Sequence, residues 1–261
     1  MCHDIKLLAI DLDGSLLHDD KSISKYSIQV INKCRELGIV VFLATARPLR
    51  VVFNMLEKTC LDVDGIIANN GATVYSNGKI IKNSYIDPNI GIDIINFLQC
   101  DGIKYFDIET GENLYCSENS PFMADAIWNA ILYENSIYLN KIMKITIEIN
   151  EKFDINTLCQ YNSMITINKC NNNLVQIMSK TSNKMNAIDI VLKDYGFGRI
   201  NVLAFGDDNN DKDMIENCSI GVAVKNATIE IKNIANYICG SNQEDGVATW
   251  IMENLISLRN K

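Results

Sequence analysis

Histidine is nearly missing: the 261 residues hold only two, His3 and His18. A His-ligated zinc site or a Ser-His-Asp triad therefore has almost nothing to draw on. No Cys-x-x-Cys pair occurs, and of the nine cysteines the nearest two are Cys159 and Cys170. Scattered single cysteines read as buried, reduced, small hydrophobes and not as a disulfide framework. No apolar run approaches the ~20 residues a helix needs to cross a bilayer. The short apolar stretch between Asp4 and Asp11 lacks the basic lead and cleavage pattern of a signal peptide. A soluble, cytoplasmic protein without a membrane partner is expected, and no repeat period is visible. Positive charge is also short: 24 Lys and Arg stand against 32 Asp and Glu, a net charge of -8. An acidic surface repels a polyanionic backbone, which argues against nucleic acid as a partner.

What is present is a core. Hydrophobic residues make up 48% of the chain, enough for one large domain, or for a domain carrying a smaller second one. Segments Ile5–Ile10, Ile39–Ala44, Gly65–Ala68 and Val202–Phe205 are short apolar runs of the kind found in parallel strands buried on both faces. Between the first two, Ile28, Ile31, Cys34 and Leu37 recur at helical spacing and Gly38 supplies a stop. Pro48 opens a second helix that runs to about Thr59. This β-α-β-α-β order predicts a doubly wound parallel sheet with right-handed crossovers.

The pattern then changes. Asn77-Gly78 between Ala72–Tyr75 and Lys79–Lys82 signals a hairpin. Asp87-Pro88 and Ser120-Pro121 each place a capping residue before a proline, so each predicts a helix start. Met143–Ile149 alternates as a half-buried strand does, and Met164–Asn168 with Leu174–Met178 predicts a hairpin through Asn171–Asn173. After Lys184 the parallel pattern resumes. Helices are expected over about Met185–Tyr195, Lys212–Asn217, Ala227–Ala235 and Val247–Leu258, and strands at Ile220–Ala223 and Tyr237–Cys239. The predicted fold is α/β, a Rossmann-like core of residues 1–84 and 184–261 interrupted by an α+β cap of residues 85–183.

In an open parallel sheet, ligands bind beyond the carboxyl ends of the strands. Asp11 and Asp13 follow the first strand, Thr45 the second, and Asp207 and Asp208 the strand Val202–Phe205, while Lys184 starts the helix that re-enters the core. Each piece alone has a bland explanation. Asp-x-Asp-Gly after a strand also serves as an Asx-turn, a strand-ending Thr as a cap, and a lone Lys as a solvated charge. Gly206–Asp211 resembles a calcium loop but lacks the twelve-residue EF-hand spacing. Taken together, four segments converge on one sheet edge. Crowded carboxylates need a cation, and an all-oxygen cluster suits Mg²⁺. Such a cation would also let an acidic protein accept a phosphate dianion. Asp11 could then attack phosphorus, Asp13 could move a proton, and Thr45 and Lys184 could meet the charge that develops. Gly14 lets the chain turn so that backbone N–H groups face phosphoryl oxygens.

At these residues the chain resembles a known family. Asp11-Leu12-Asp13-Gly14-Ser15-Leu16-Leu17 is similar to motif I of the haloacid dehalogenase (HAD) superfamily, and Leu43-Ala44-Thr45-Ala46-Arg47 to motif II. Lys184 sits where motif III has its lysine, and Gly206-Asp207-Asp208-Asn209-Asn210-Asp211 resembles motif IV. Order and spacing resemble the Cof-type phosphatases with a large α/β cap. Asn70-Gly71-Ala72, Val222–Ala227 and Asp245–Ala248 share the likeness. The resemblance implies Asp11 as nucleophile and Asp13 as general acid/base. It implies Mg²⁺ held by the Asp11 carboxylate, the Asp13 carbonyl and Asp207, with Asn210 and Asp211 completing or orienting the site. It implies that Thr45, the Ala46 backbone, Lys184 and Asn210 grip the phosphoryl group, with Arg47 and Asn70 near the entrance. Ser15 stands where the motif more often has Thr, and Ala46 where it often has Gly.

The activity expected is hydrolysis of a small phosphomonoester, such as a sugar phosphate or a phosphorylated flavin precursor, by an aspartyl-phosphate route. A phosphotransferase or sugar phosphomutase uses the same fold. A non-enzymatic phospho-acceptor also combines acids, Thr and Lys on a parallel sheet, but needs only a domain of ~120 residues. A pure binding module would leave Asp13 and Lys184 without a task.

Overall fold

The computed structural model describes residues 4–100, 103, 105–118, 120–124, 126–134, 139–149, 155–169 and 174–257. His3, Cys2, Cys170 and the Asn171–Asn173 turn lie outside them. In chain order the elements are β1 (Leu7–Ile10), α1 (Lys25–Glu36), β2 (Val40–Ala44), α2 (Leu49–Glu57), β3 (Gly65–Ala68), β4 (Thr73–Ser76), β5 (Lys79–Asn83) and α3 (Pro88–Cys100). There follow β6 (Phe106–Glu109), β7 (Leu114–Cys116), β8 (Ala130–Leu132), β9 (Lys144–Glu148), β10 (Ile165–Lys169) and β11 (Leu174–Ser179). The last are α4 (Lys184–Tyr195), β12 (Val202–Gly206), α5 (Lys212–Asn217), β13 (Ile220–Ala223), α6 (Ile229–Ile234), β14 (Tyr237–Ile238) and α7 (Gly246–Ile251). They form two compact units: Met1–Arg47, Met55–Lys82 and Asn183–Lys261 make one, Pro48–Asn54 and Asn83–Ser182 the other.

The first unit is built on an eight-stranded sheet in the order β14-β13-β12-β1-β2-β3-β4-β5. Neighbours from β14 to β3 are parallel, and β4 turns back antiparallel to β3. All four residues of β1 and all five of β12 are buried, which is why these runs carry no polar alternation. The chain moves outward from β1 to β2 and β3, then returns to the other side of β1 with β12 and continues to β13 and β14. This reversal between β1 and β12 is where loops part and a crevice forms. Ile10 pairs with Phe205 there, so Asp11 and Asp207 leave neighbouring strands side by side.

Helix α1 is capped by Ser24, whose side chain accepts the Ser27 N–H. Its buried stripe is Ser27, Val30, Ile31 and Cys34. That is rotated from the expected Ile28-Ile31-Cys34-Leu37 set, because Ser27 turns inward and donates its hydroxyl to Asp245 at 3.0 Å. Among the described residues the last helix covers the expected span, α7 passing at Ile251 into a π-helical stretch over Met252–Ile256.

The second unit has a six-stranded sheet ordered β10-β11-β9-β6-β7-β8. Its pairs are antiparallel except the parallel β7–β8 pair. Asp87 caps α3 by accepting the Asn89 N–H at 2.9 Å, as the Asp-Pro pair predicts. Ile90, Ile94, Ile95 and Leu98 of α3 join Ile108, Ile145, Ile147, Val175 and Ile177 in its core. The Ser120-Pro121 expectation needs correction. No α-helix forms there among the described residues; 3₁₀ turns at Pro121–Ala124 and Ala126–Trp128 take its place. The Ser120 hydroxyl accepts the Phe122 N–H and closes a local turn, and Asn129, at φ +50°, redirects the chain into β8. Residues 48–54 cluster with this unit through Arg50. Its guanidinium makes a two-pronged pair with buried Glu109 at 2.7 and 2.9 Å, and also donates to the Trp128 carbonyl.

Candidate active site

Every site residue expected from the sequence lies in the first unit, on the edge formed by the carboxyl ends of its parallel strands. Asp11 follows β1 and is buried, its N–H bonded to the Phe205 carbonyl of β12 at 3.0 Å. Lys184 opens α4 behind its N-cap Asn183, whose side chain accepts the Asn186 N–H at 2.6 Å. The Lys184 side chain is fully buried and donates to Asp11 Oδ1 at 2.7 Å and Asp211 Oδ1 at 2.5 Å. The other oxygen of Asp211 accepts the backbone N–H groups of Asp207 and Asp208 at 2.9 and 3.3 Å, fixing the loop after β12. The absence of a side chain at Gly206 makes this possible, since a Cβ there would run into Asp211.

Three carboxylates, Asp11, Asp207 and Asp211, thus offer oxygens all within 4.8 Å of one another against one ammonium. Burial, then the Asp211 charge, pushes Asp11 up to about 7 despite Lys184. Burial, then Asp11 and Asp211, pushes Asp207 up to about 9. Burial works against the Lys184 ammonium, but Asp11 and Asp211 outweigh it and hold its pKa above that of ordinary lysine. Asp11 Oδ2 is buried and has no hydrogen-bond partner among the described residues. An oxygen-only group with surplus negative charge and an unpaired buried oxygen fits a small hard cation.

Asp13 lies apart from this group. Its carboxylate takes Arg47 Nε at 2.6 Å and Nη2 at 2.7 Å, with Lys21 Nζ at 2.9 Å. Burial raises its pKa, but Arg47 and Lys21 outweigh that and hold it below the usual carboxylate range. Gly14 next to it has φ +80°, and a Cβ would collide with the Asp207 carboxylate. Thr45 is buried at the end of β2, and its hydroxyl accepts the Arg47 N–H at 3.1 Å, with Ala46 between them. Asn210 donates to Asn70 Oδ1 at 3.0 Å. Asn70 sits in a turn at φ +52°, held by its N–H to the Thr45 carbonyl. The structure therefore groups Asp11, Lys184, Asp207 and Asp211, pairs Asp13 with Arg47, and pairs Asn210 with Asn70. Lys21, Asn226 and Asn242 also border the Asp13 turn, a role that no motif assigns to them. Asn226 and Asn242 reach the turn across 212 and 225 residues, and the Val222–Ala227 likeness covers only the first of them; Lys21 lies eight residues from Asp13, in a stretch that no motif marks.

The model of the haloacid dehalogenase-like hydrolases matches residues 8–251. The chain belongs to that family. It is an enzyme, a phosphatase, as its motifs led us to expect. Among curated relatives of this HAD chain, the 5-amino-6-(5-phospho-D-ribitylamino)uracil phosphatase YcsE of Bacillus subtilis is 29% identical over 251 residues, covering 94% of each chain. A second Bacillus subtilis phosphatase named for the same compound, YitU, is 27% identical, covering 95% of this chain and 96% of its own. Among solved structures, a haloacid dehalogenase-like hydrolase from B. subtilis superposes with a TM-score of 0.84 at 22% identity, covering 96% of this chain and all of its own. A HAD subclass IIB sugar phosphatase superposes with a TM-score of 0.82 at 22% identity, covering 95% and 98%. The fold is the HAD one, a Rossmann-like α/β core with a cap.

Proposed function

We propose that this HAD phosphatase hydrolyses a small phosphomonoester with Mg²⁺, through an aspartyl-phosphate on Asp11. The observation that carries the reading is Asp11 itself: a buried carboxylate with one oxygen held by Lys184 and the other unpaired beside Asp207 and Asp211. We divide the chain into a catalytic core, residues 1–84 and 184–261, and an inserted cap, residues 85–183. The free cysteines among the described residues are consistent with a reducing cytoplasmic location.

The Asp11 carboxylate attacks phosphorus as the bond to the leaving oxygen breaks. Lys184 holds Asp11 Oδ1 and so fixes the direction of attack. Asp13 gives its proton to the leaving alkoxide, then takes one from the water that attacks the acyl phosphate. Inorganic phosphate leaves and the Asp11 carboxylate returns. The Asp13 carboxylate is tied to Arg47 and Lys21 in this arrangement, so it must exchange those partners before it can carry a proton. Thr45, the Ala46 N–H, Lys184 and Asn210 meet the phosphoryl oxygens. Asp11, the Asp13 carbonyl and Asp207 would hold Mg²⁺, with Asp211 orienting the loop; bound there, it would offset the charge that the acids and a phosphate dianion bring together.

The relatives' compound carries a primary phosphate on a ribityl chain. That supports a polyol or sugar phosphate, including a phosphorylated flavin precursor, as the substrate class. The test is Asp11→Asn. It should abolish Mg²⁺-dependent release of phosphate from p-nitrophenyl phosphate, and turnover near that of the parent would refute the mechanism.

A further inference from the structure

Two asparagines that take no part in this chemistry tie the far end of the chain to the turn after Asp11. Asn226 Nδ2 donates to the Gly14 carbonyl at 2.7 Å, and Asn226 Oδ1 accepts the Asn242 N–H at 3.0 Å. Asn242 Nδ2 in turn donates to the Leu17 carbonyl at 2.9 Å and to Asp19 Oδ1 at 3.1 Å. The turn is thus gripped at both ends, Gly14 and Leu17. Its own N–H groups close inward: Leu16 donates to the Asp11 carbonyl and Leu17 to that of Leu12.

The gripping segment also reaches the other side of the site. Two residues past Asn226, the Thr228 N–H donates to the Asp207 carbonyl at 2.9 Å. Residues 226–228 therefore hold Gly14 by a side chain and Asp207 by the backbone. Gly14 already lies so close to the Asp207 carboxylate that no Cβ fits between them. Rotation of the Gly14–Ser15 peptide would move Asp11 and Asp13 against Asp207, and displacements near 1 Å at a reacting centre cost about 10²-fold in rate.

We propose that Asn226 is a positioning residue. It clamps the Gly14–Ser15 peptide and, with Asn242 at the turn's other end, fixes the spacing of Asp11 and Asp13 from Asp207 without touching substrate. The kinetic consequence rests on the function proposed above; the clamp itself rests on the hydrogen bonds alone.

Asn226 is exposed, so its replacement leaves the core intact. Asn226→Ala removes both bonds. Asn226→Asp keeps an acceptor for the Asn242 N–H but has no donor for Gly14. In both variants kcat for p-nitrophenyl phosphate with Mg²⁺ should fall about tenfold or more while KM stays within about twofold. Amide exchange over residues 14–18 should quicken about tenfold, with the melting temperature and exchange elsewhere unchanged. Asn226→Gln, which keeps the amide, should recover part of the kcat. Parent-like exchange over 14–18 in Asn226→Ala would overturn the clamp, and so would a rise in KM at constant kcat, which would make Asn226 a substrate contact. A parent enzyme that releases no phosphate would refute the proposed function instead, leaving the exchange result to decide the clamp.

Discussion

Lys184 shows how a single residue sets this site. Among the described residues it is the one cation bonded within a group of three crowded carboxylates, fully buried, and it bonds two of them. A buried pair of this kind adds little net stability, but breaking one leaves charge without compensation, at a cost of about 3–5 kcal/mol. Lys184→Met should lose stability of that order in urea denaturation without metal, and should lose phosphatase activity as well. A loss under ~1 kcal/mol would contradict this role for Lys184. Lys184 was legible from its position in motif III. The pairing of Asp13 with Arg47 was not. Arg47 follows Thr45-Ala46 and the resemblance puts it near the entrance, but nothing local says that its fork turns back to Asp13 across 34 residues.

At the scale of elements, legibility followed burial. Leu7–Ile10 and Val202–Gly206 declared themselves because both faces are covered and no polar residue interrupts them. The convergence of Asp11 and Asp207 then followed from the handedness and order of parallel strands. Strand β6 was missed for the opposite reason. Its sequence, Phe106-Asp107-Ile108-Glu109, places two acids at positions that are buried. Buried acids are rare without partners, and the partners here are remote or invisible to pattern: Arg50 lies 59 residues away from Glu109, and the Tyr105 hydroxyl donates to Asp107 at 2.6 Å. Local rules failed in the same way at Ser120-Pro121, where a capping signal was answered by a 3₁₀ turn. The Asn226–Asn242 relay is the extreme case, since Asn226 grips a carbonyl 212 residues earlier in the chain.

For the molecule as a whole, the cysteines report on packing independently of the site. Cys34, Cys116 and Cys218 are buried, while Cys60, Cys100 and Cys159 are exposed. At pH 8, iodoacetamide should label the second set in the native protein and the first only after denaturation, as peptide mass spectrometry can show. Burial pushes the Cys116, Cys218 and Cys239 thiols up from 9.0 to about 12. Below pH 9 these thiols are neutral in both folded and unfolded chains, and their contribution is intact. Between pH 9 and about 12 the unfolded chain ionises first, so folding stability should fall steadily as pH rises through that window. Urea midpoints at pH 8 and pH 10 read this directly, and a higher midpoint at pH 10 would contradict it.

In the proposed mechanism Asp11 carries the phosphoryl group. An acid quench of a single turnover with Mg²⁺ and p-nitrophenyl phosphate, followed by borohydride reduction and peptide mapping, tests it most directly. Borohydride reduces an acyl phosphate, so the mass change of an aspartate converted to homoserine should appear at Asp11 and at no other carboxylate. Phosphate release in the same quench with Asp11 unmodified, or the change found at Asp13 or Asp207, would contradict the claim.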